Sequence, residues 1–155
     1  MIPYIHRIDA YRIEVLLVFE FLILGFLSER SMHGYELKMR LNALAGYYRK
    51  TSDGTLYPAI KRLVAKGFVA EKPQADTRGK YLLEITSKGF SWLKERLEQP
   101  EEADITDRNR FFGLLNFLHL VSEKRQMEIL EKRRAFILYP KAFNLQDGAG
   151  SQAEH

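Results

Sequence analysis

The chain has 155 residues, with 24 Lys and Arg against 20 Asp and Glu (formal net charge +4), 46% hydrophobic and 28% charged residues. That composition suits one globular domain, or a small domain with a helical appendage, whose core needs no covalent staples. There is no Cys, which excludes disulfides, thiolate metal sites and cysteine nucleophiles; a cytoplasmic location is expected, the N-terminus lacking the pattern of a secretory signal.

Met1 to Arg7 has no periodicity and reads as an irregular arm. Asp9 can cap a helix running to Ser28, with Ile13, Leu16, Leu17, Leu24 and Leu27 on a broad apolar face that Phe19, Phe21, Ile23 and Phe26 extend. A helix apolar nearly all round needs cover on several sides, either from a second subunit or as the central helix of one core. Its longest apolar run, Val15 to Leu27, is 13 residues with Glu20 inside it. A membrane span needs about 20, so no membrane association is expected.

Ser31-Met32-His33-Gly34 reads as a turn into a second helix, about Gly34 to Ala45. Leu37, Leu41 and Leu44 form its inward stripe, Lys38 and Arg40 lie on other faces, and Gly46 supplies the stop. Tyr47 to Thr51 then links it to the helix around which the chain is organised, Ser52 to Gly67. Ser52, or Thr55 a turn later, can cap that helix, and Pro58 favours the later start because early helical N–H groups have no partner to lose. Leu56, Ala59, Ile60 and Leu63 gather on one side, leaving Gly54, Tyr57, Lys61 and Ala65 outward, flanked by Thr55 and Arg62. Hydroxyls, a ring and two cations with little bulk suit a helix that enters a DNA major groove.

Two short strands follow, Phe68 to Lys72 and Lys80 to Ile85, the second placing Tyr81, Leu83 and Ile85 on one face. The turn-rich stretch between them ends in Arg78 and Gly79. A helix pair followed by a two-stranded ribbon with a basic tip describes a winged helix, whose tip can reach phosphates or the minor groove; a solvated hairpin is the plainer reading. Thr86 can cap a helix from Ser87 to Leu97, with Phe90, Leu93 and Leu97 inward and Trp92 on another face. Residues 99–106 form an acidic linker containing Pro100, which bounds a first domain at 9–98. Helical periodicity returns over 107–140, with Phe111, Leu114, Leu115, Leu118 and Val121 on one face and Ser122 capping a further helix that Pro140 stops. Residues 141–155 read as a disordered tail.

Charge is unevenly spread. From Arg30 to Arg96 there are 14 Lys and Arg against 6 Asp and Glu, a net of +8, while the flanking segments are each −2. Such a patch can track phosphates. His6, His33, His119 and His155 share no metal-ligand spacing; His33 is expected to satisfy local backbone and His119 to sit in a core or interface. No phosphate loop or paired carboxylates stand out, so neither an enzyme nor a cofactor or metal site is expected.

The segments Phe21-Leu22-Ile23-Leu24-Gly25-Phe26-Leu27, Met32-His33-Gly34-Tyr35-Glu36-Leu37 and Ser52-Asp53-Gly54-Thr55-Leu56-Tyr57-Pro58-Ala59-Ile60-Lys61-Arg62-Leu63 resemble the PadR family of transcriptional regulators. Arg78-Gly79-Lys80-Tyr81 and Ile85-Thr86-Ser87-Lys88-Gly89 fit as well, in order and spacing, over about residues 20 to 98. The resemblance implies a mainly α fold with a small β-wing, a winged helix-turn-helix followed by a C-terminal helical dimerisation segment. It implies a homodimer that binds double-stranded DNA at a pseudo-palindromic operator, usually as a repressor, and often released by a small-molecule effector. By position it places groove reading on Ser52, Thr55, Tyr57 and Lys61 and wing contacts on Arg78 and Lys80; with the outward face, the candidate DNA-binding set is Lys38, Ser52, Gly54, Thr55, Tyr57, Lys61, Arg62, Arg78 and Lys80. Two departures stand out: the region past the acidic linker is short, and extra residues precede the first family motif. Trp92 does not match the stacking Trp of drug-binding members, so no ligand site carries over. The competing reading is a winged-helix adaptor that binds protein and has lost DNA binding.

Overall fold

A computed structural model describes residues 18–44, 51–75 and 80–141. The expected N-terminal arm, the Asp9 cap, Ile13, Leu16 and Leu17, the Tyr47 to Lys50 link, the ribbon tip with Arg78 and the residues from Ala142 onward lie outside them. The described elements are mainly helical with one small antiparallel sheet. Two compact units divide between Arg96 and Leu97.

In the first unit, α1 covers residues 18–29, followed by β1 (Met32–His33), α2 (Gly34–Ala43), α3 (Asp53–Ala65), β2 (Val69–Pro73), β3 (Tyr81–Ile85) and α4 (Ser87–Glu98). The apolar run of α1 is buried within this single chain: Phe19, Leu22, Ile23, Leu24 and Leu27 are all at most 3% exposed. Of the two coverings open for this helix, the described part takes the second, a central core helix. Leu37 and Leu41 of α2, and Leu56, Ala59, Ile60 and Leu63 of α3, are buried with it, as their spacing requires.

Helix α3 starts at the earlier of its two expected positions. Ser52 is the N-cap residue, with extended backbone, and its carbonyl accepts from Leu56 N at 2.9 Å. Pro58 is therefore inside the helix rather than in its first turn. The carbonyl it leaves without a helical donor is that of Gly54, which is exposed and can turn to water. At the other end Gly67 adopts φ +75, Gly67 N donates to the Val64 carbonyl and Phe68 N to that of Leu63. This paired closure needs a left-handed residue, where a Cβ would be strained.

The ribbon is part of a three-stranded sheet in the order β1-β3-β2. Met32 and His33, expected to form a turn, pair with Leu83 and Leu82. A two-residue strand carries no periodicity, so only the paired partner could reveal it. On β3 only Leu83 is buried, while Tyr81, expected on the same face, is about half exposed because it sits at the sheet end where the core has run out. Thr86 caps α4 as its position suggests: its Oγ1 accepts from Gly89 N at 3.1 Å and donates to the Gly67 carbonyl at 2.6 Å. Gly89, not Phe90, takes the inward place at the start of α4. A Cβ there would lie 2.2 Å from the Phe68 carbonyl oxygen, and the larger Phe90 side chain is left exposed.

In the second unit, residues read as an acidic linker fold into α5 (Glu102–Thr106). Glu101 and Asp104 form a reciprocal capping box, and Arg110 binds both carboxylates, at 2.9 Å and 2.8 Å. Burial opposes the Arg110 charge, but hydrogen bonds and the charges of Asp104 and Glu101 outweigh it and raise its pKa. Clustered acids look like a solvated linker until the Arg that neutralises them, six residues beyond Asp104, is brought alongside. Asp107 caps α6 (Arg108–Asn116), accepting from Asn109 N and Arg110 N. A 3₁₀ turn (Leu118–Leu120) then breaks the expected stripe: Phe117 is buried, Leu115 is exposed, and His119 is exposed rather than in the core of this chain. Ser122 caps α7 (Glu123–Leu138) by accepting from Arg125 N, and Arg133 donates to the carbonyls of Ile105 and Thr106 with its guanidinium over Phe111.

Candidate nucleic-acid interface

Burial of Leu56, Ala59, Ile60 and Leu63 turns the opposite face of α3 to solvent, so Gly54, Thr55, Tyr57 and Lys61 are all exposed. Ser52 Oγ, beside that face, lies 3.1 Å from Thr55 Oγ1. Tyr57 lies against the start of α2, where Gly34 gives it room: a Cβ on Gly34 would stand 3.2 Å from Tyr57 Cε1. A groove of about 610 Å³ runs between the α2 start, α3 and the sheet, lined by His33, Tyr35, Tyr57, Lys61, Lys80 and Tyr81 among others. One cation from the helix and one from the wing thus border the same concave surface. Three tyrosines supply rings and hydroxyls beside them, and Glu36 and Glu71 bound it as anions.

The other predicted residues are placed differently. Lys38 reaches back along the helix pair, its Nζ 2.8 Å from Asp53 Oδ1 at the first residue of α3, and that hydrogen bond raises its pKa. Arg62 turns away from the Tyr57 and Lys61 ridge: its Nε donates to Glu20 Oε1 of α1 at 2.8 Å. Arg78 lies outside the described residues.

Three residues of this surface escaped the sequence reading. Tyr35 is 72% exposed, off the Leu37 and Leu41 stripe, and that mismatch was the available signal. Tyr81 was hidden by its parity with Leu83. His33 uses Nδ1 on the Tyr81 carbonyl at 3.1 Å, satisfying backbone as expected, but across the sheet rather than locally. Among the described residues no group of three or more acidic or His side chains could hold a metal ion, and no helix is long and apolar enough to cross a membrane.

A helix pair packed on a three-stranded ribbon, with the second helix's polar ridge free and a basic strand beside it, defines a winged helix-turn-helix unit. The comparisons agree. Residues 23–95 match the model of the transcriptional regulator PadR-like family. The chain is 31% identical over 91 residues to the transcriptional regulator YqjI of Escherichia coli, covering 59% of this chain and 43% of that protein, so it spans less than half the length of that curated relative. Among solved structures, a transcriptional regulator from Clostridium thermocellum aligns with TM-score 0.50 at 24% identity, covering 55% of this chain and 85% of that one. Bacillus subtilis PadR, solved in complex with operator DNA, aligns with TM-score 0.50 at 20% identity, covering 89% and 78%. At these identities the two structures speak for the shared fold.

Proposed function

We propose that this chain is a DNA-binding transcriptional regulator, acting as a homodimeric repressor on a pseudo-palindromic operator. The observation that carries the reading is the juxtaposition of Tyr57 and Lys61 on α3 with Lys80 on the wing side of one open groove. The ridge is narrow enough for a major groove, and the cations beside it can hold the phosphates that flank a helix seated there. Thr55, Tyr57 and Lys61 read base edges, while Lys80 and the unassigned Tyr35 and Tyr81 hold the backbone. Lys38 acts through Asp53, seating the start of α3. The PadR-like match over 23–95 and the operator complex of the Bacillus protein support the same reading.

Two-fold pairing is supported by α7. Met127, Leu130, Ile137 and Leu138 are all exposed, on the side of the helix away from the buried Ile129. At 100° per residue they fall within an arc of about 100°. That stripe is suited to a second copy, and a two-fold dimer reads successive major grooves with recognition helices about 34 Å apart.

Fluorescence anisotropy with a random-sequence duplex at about 50 mM and about 200 mM salt is the direct test. A DNA binder loses affinity steeply between the two. No measurable binding at the lower salt would overturn the proposal in favour of a protein-binding winged helix.

A further inference from the structure

Glu20 is the one acidic residue in the apolar run of α1, and its side chain is only 5% exposed. Both of its oxygens are engaged by α3: Arg62 Nε lies 2.8 Å from Oε1 and Lys66 Nζ 2.7 Å from Oε2. The two cations are one helical turn apart, Arg62 in the last turn of α3 and Lys66 its C-cap residue. At 100° per residue, Arg62 stands about 140° round the helix from Tyr57, and Lys66 about 180°. The Arg62 Nη2 atom is itself buried and makes no hydrogen bond among the described residues. A carboxylate taken out of water is strongly unfavourable unless its partners stay in place, so this cluster constrains α3 more than a surface pair would.

We propose that Glu20 is a specificity-determining positioning residue. By holding Arg62 and Lys66 it fixes the roll of α3 against α1. The inference rests on the DNA-binding reading above. Phosphate contacts raise affinity for every sequence alike, whereas a fixed α3 raises it only where the base edges match. One carboxylate thus acts on the ratio between operator and random DNA.

The test uses the full chain, a duplex recovered from a random-sequence pool by the wild type, and a scrambled duplex, each titrated over a range of salt. Glu20→Gln is expected to bind the scrambled duplex as well as wild type. Its salt slope should stay at the wild-type value, because Arg62 and Lys66 face away from the Tyr57 edge, while the ratio of the two affinities should fall at least about tenfold. Loss of both affinities by one common factor, with the slope unchanged, would mean a merely structural role and overturn the inference. Should Glu20→Gln fail to fold by circular dichroism, Lys66→Met decides. An unchanged salt slope is expected, because Lys66 is committed to Glu20; a slope reduced by about 0.9 would place Lys66 on a phosphate and overturn it. Wild type binding neither duplex would overturn the DNA reading and this inference together, whereas wild-type binding with an unchanged ratio in Glu20→Gln overturns this inference alone.

Discussion

Gly34→Ala separates the position of Tyr57 from the stability of the fold. The added Cβ would meet Tyr57 Cε1 at 3.2 Å and its hydroxyl at 3.4 Å. Gly34 is the first residue of α2 and does not have positive φ, so the backbone accepts a side chain. The ring is 48% exposed and can retreat outward by a few tenths of an ångström. Ala gains up to about 1 kcal/mol over Gly inside a helix, less at its first position, and the crowding falls at or below the low end of the roughly 1–3 kcal/mol range for overpacked cores. Net stability in a urea melt should therefore stay within about 1 kcal/mol of wild type. Operator affinity by gel shift should nevertheless fall, by up to the worth of one base contact, about 1–3 kcal/mol or roughly 5- to 150-fold. Tyr57→Phe, which keeps the ring and removes the hydroxyl, reports how much of that loss belongs to the oxygen. Operator affinity unchanged in a normally folded Gly34→Ala would refute the placement of Tyr57 at the reading edge.

Lys61→Ala and Lys80→Ala are expected to part company: Lys61→Ala relaxes sequence preference at one position of a selected site, whereas Lys80→Ala weakens all duplexes alike and lowers the salt slope by about 0.9. Gly89→Ala puts a Cβ 2.2 Å from a backbone oxygen that cannot move without Gly67 and Thr86, which bond to the same turn; a loss of about 1–3 kcal/mol or more in a urea melt is expected, and an unaltered midpoint would contradict the packing. Leu130→Glu with Ile137→Glu on the exposed side of α7 should turn a dimer into a folded monomer in light scattering, with operator affinity falling more than random-duplex affinity. Lys38 is raised above its ordinary 10.5 by Asp53, so its pair contributes fully below that value and is lost as pH climbs through the higher folded one. The melting difference between Lys38→Met and wild type should thus stay constant from neutral pH to about pH 9, and a difference that shrinks within that window would contradict the pair.

Much of the winged-helix unit could be read from periodicity. The sides of α2 and α3 follow from apolar spacing, and the Gly67 and Thr86 boundaries from their own chemistry, because each is decided by neighbours within a turn. What the spacing did not reveal is decided by partners far along the chain. Arg62 looked like a flank of the ridge because periodicity says nothing of Glu20, 42 residues earlier. That carboxylate inside an apolar run was the available clue, since a buried acid needs a cation. Met32 and His33 became a strand only against β3, and residues 102–106 became a helix only with Arg110 beside their acids. Tyr81 follows the alternation of its strand but not its burial, because alternation fixes a face and not how far the core extends beneath it.

The ridge of α3 beside the wing can be tested most directly by hydroxyl-radical footprinting on a duplex selected from a random pool. Two protected patches about one helical turn apart on one face are expected, fading as salt rises, and lost at the selected site when Tyr57 and Lys61 are both replaced by Ala. A pool from which wild type retains no duplex would contradict this, as would protection that survives the double replacement unchanged.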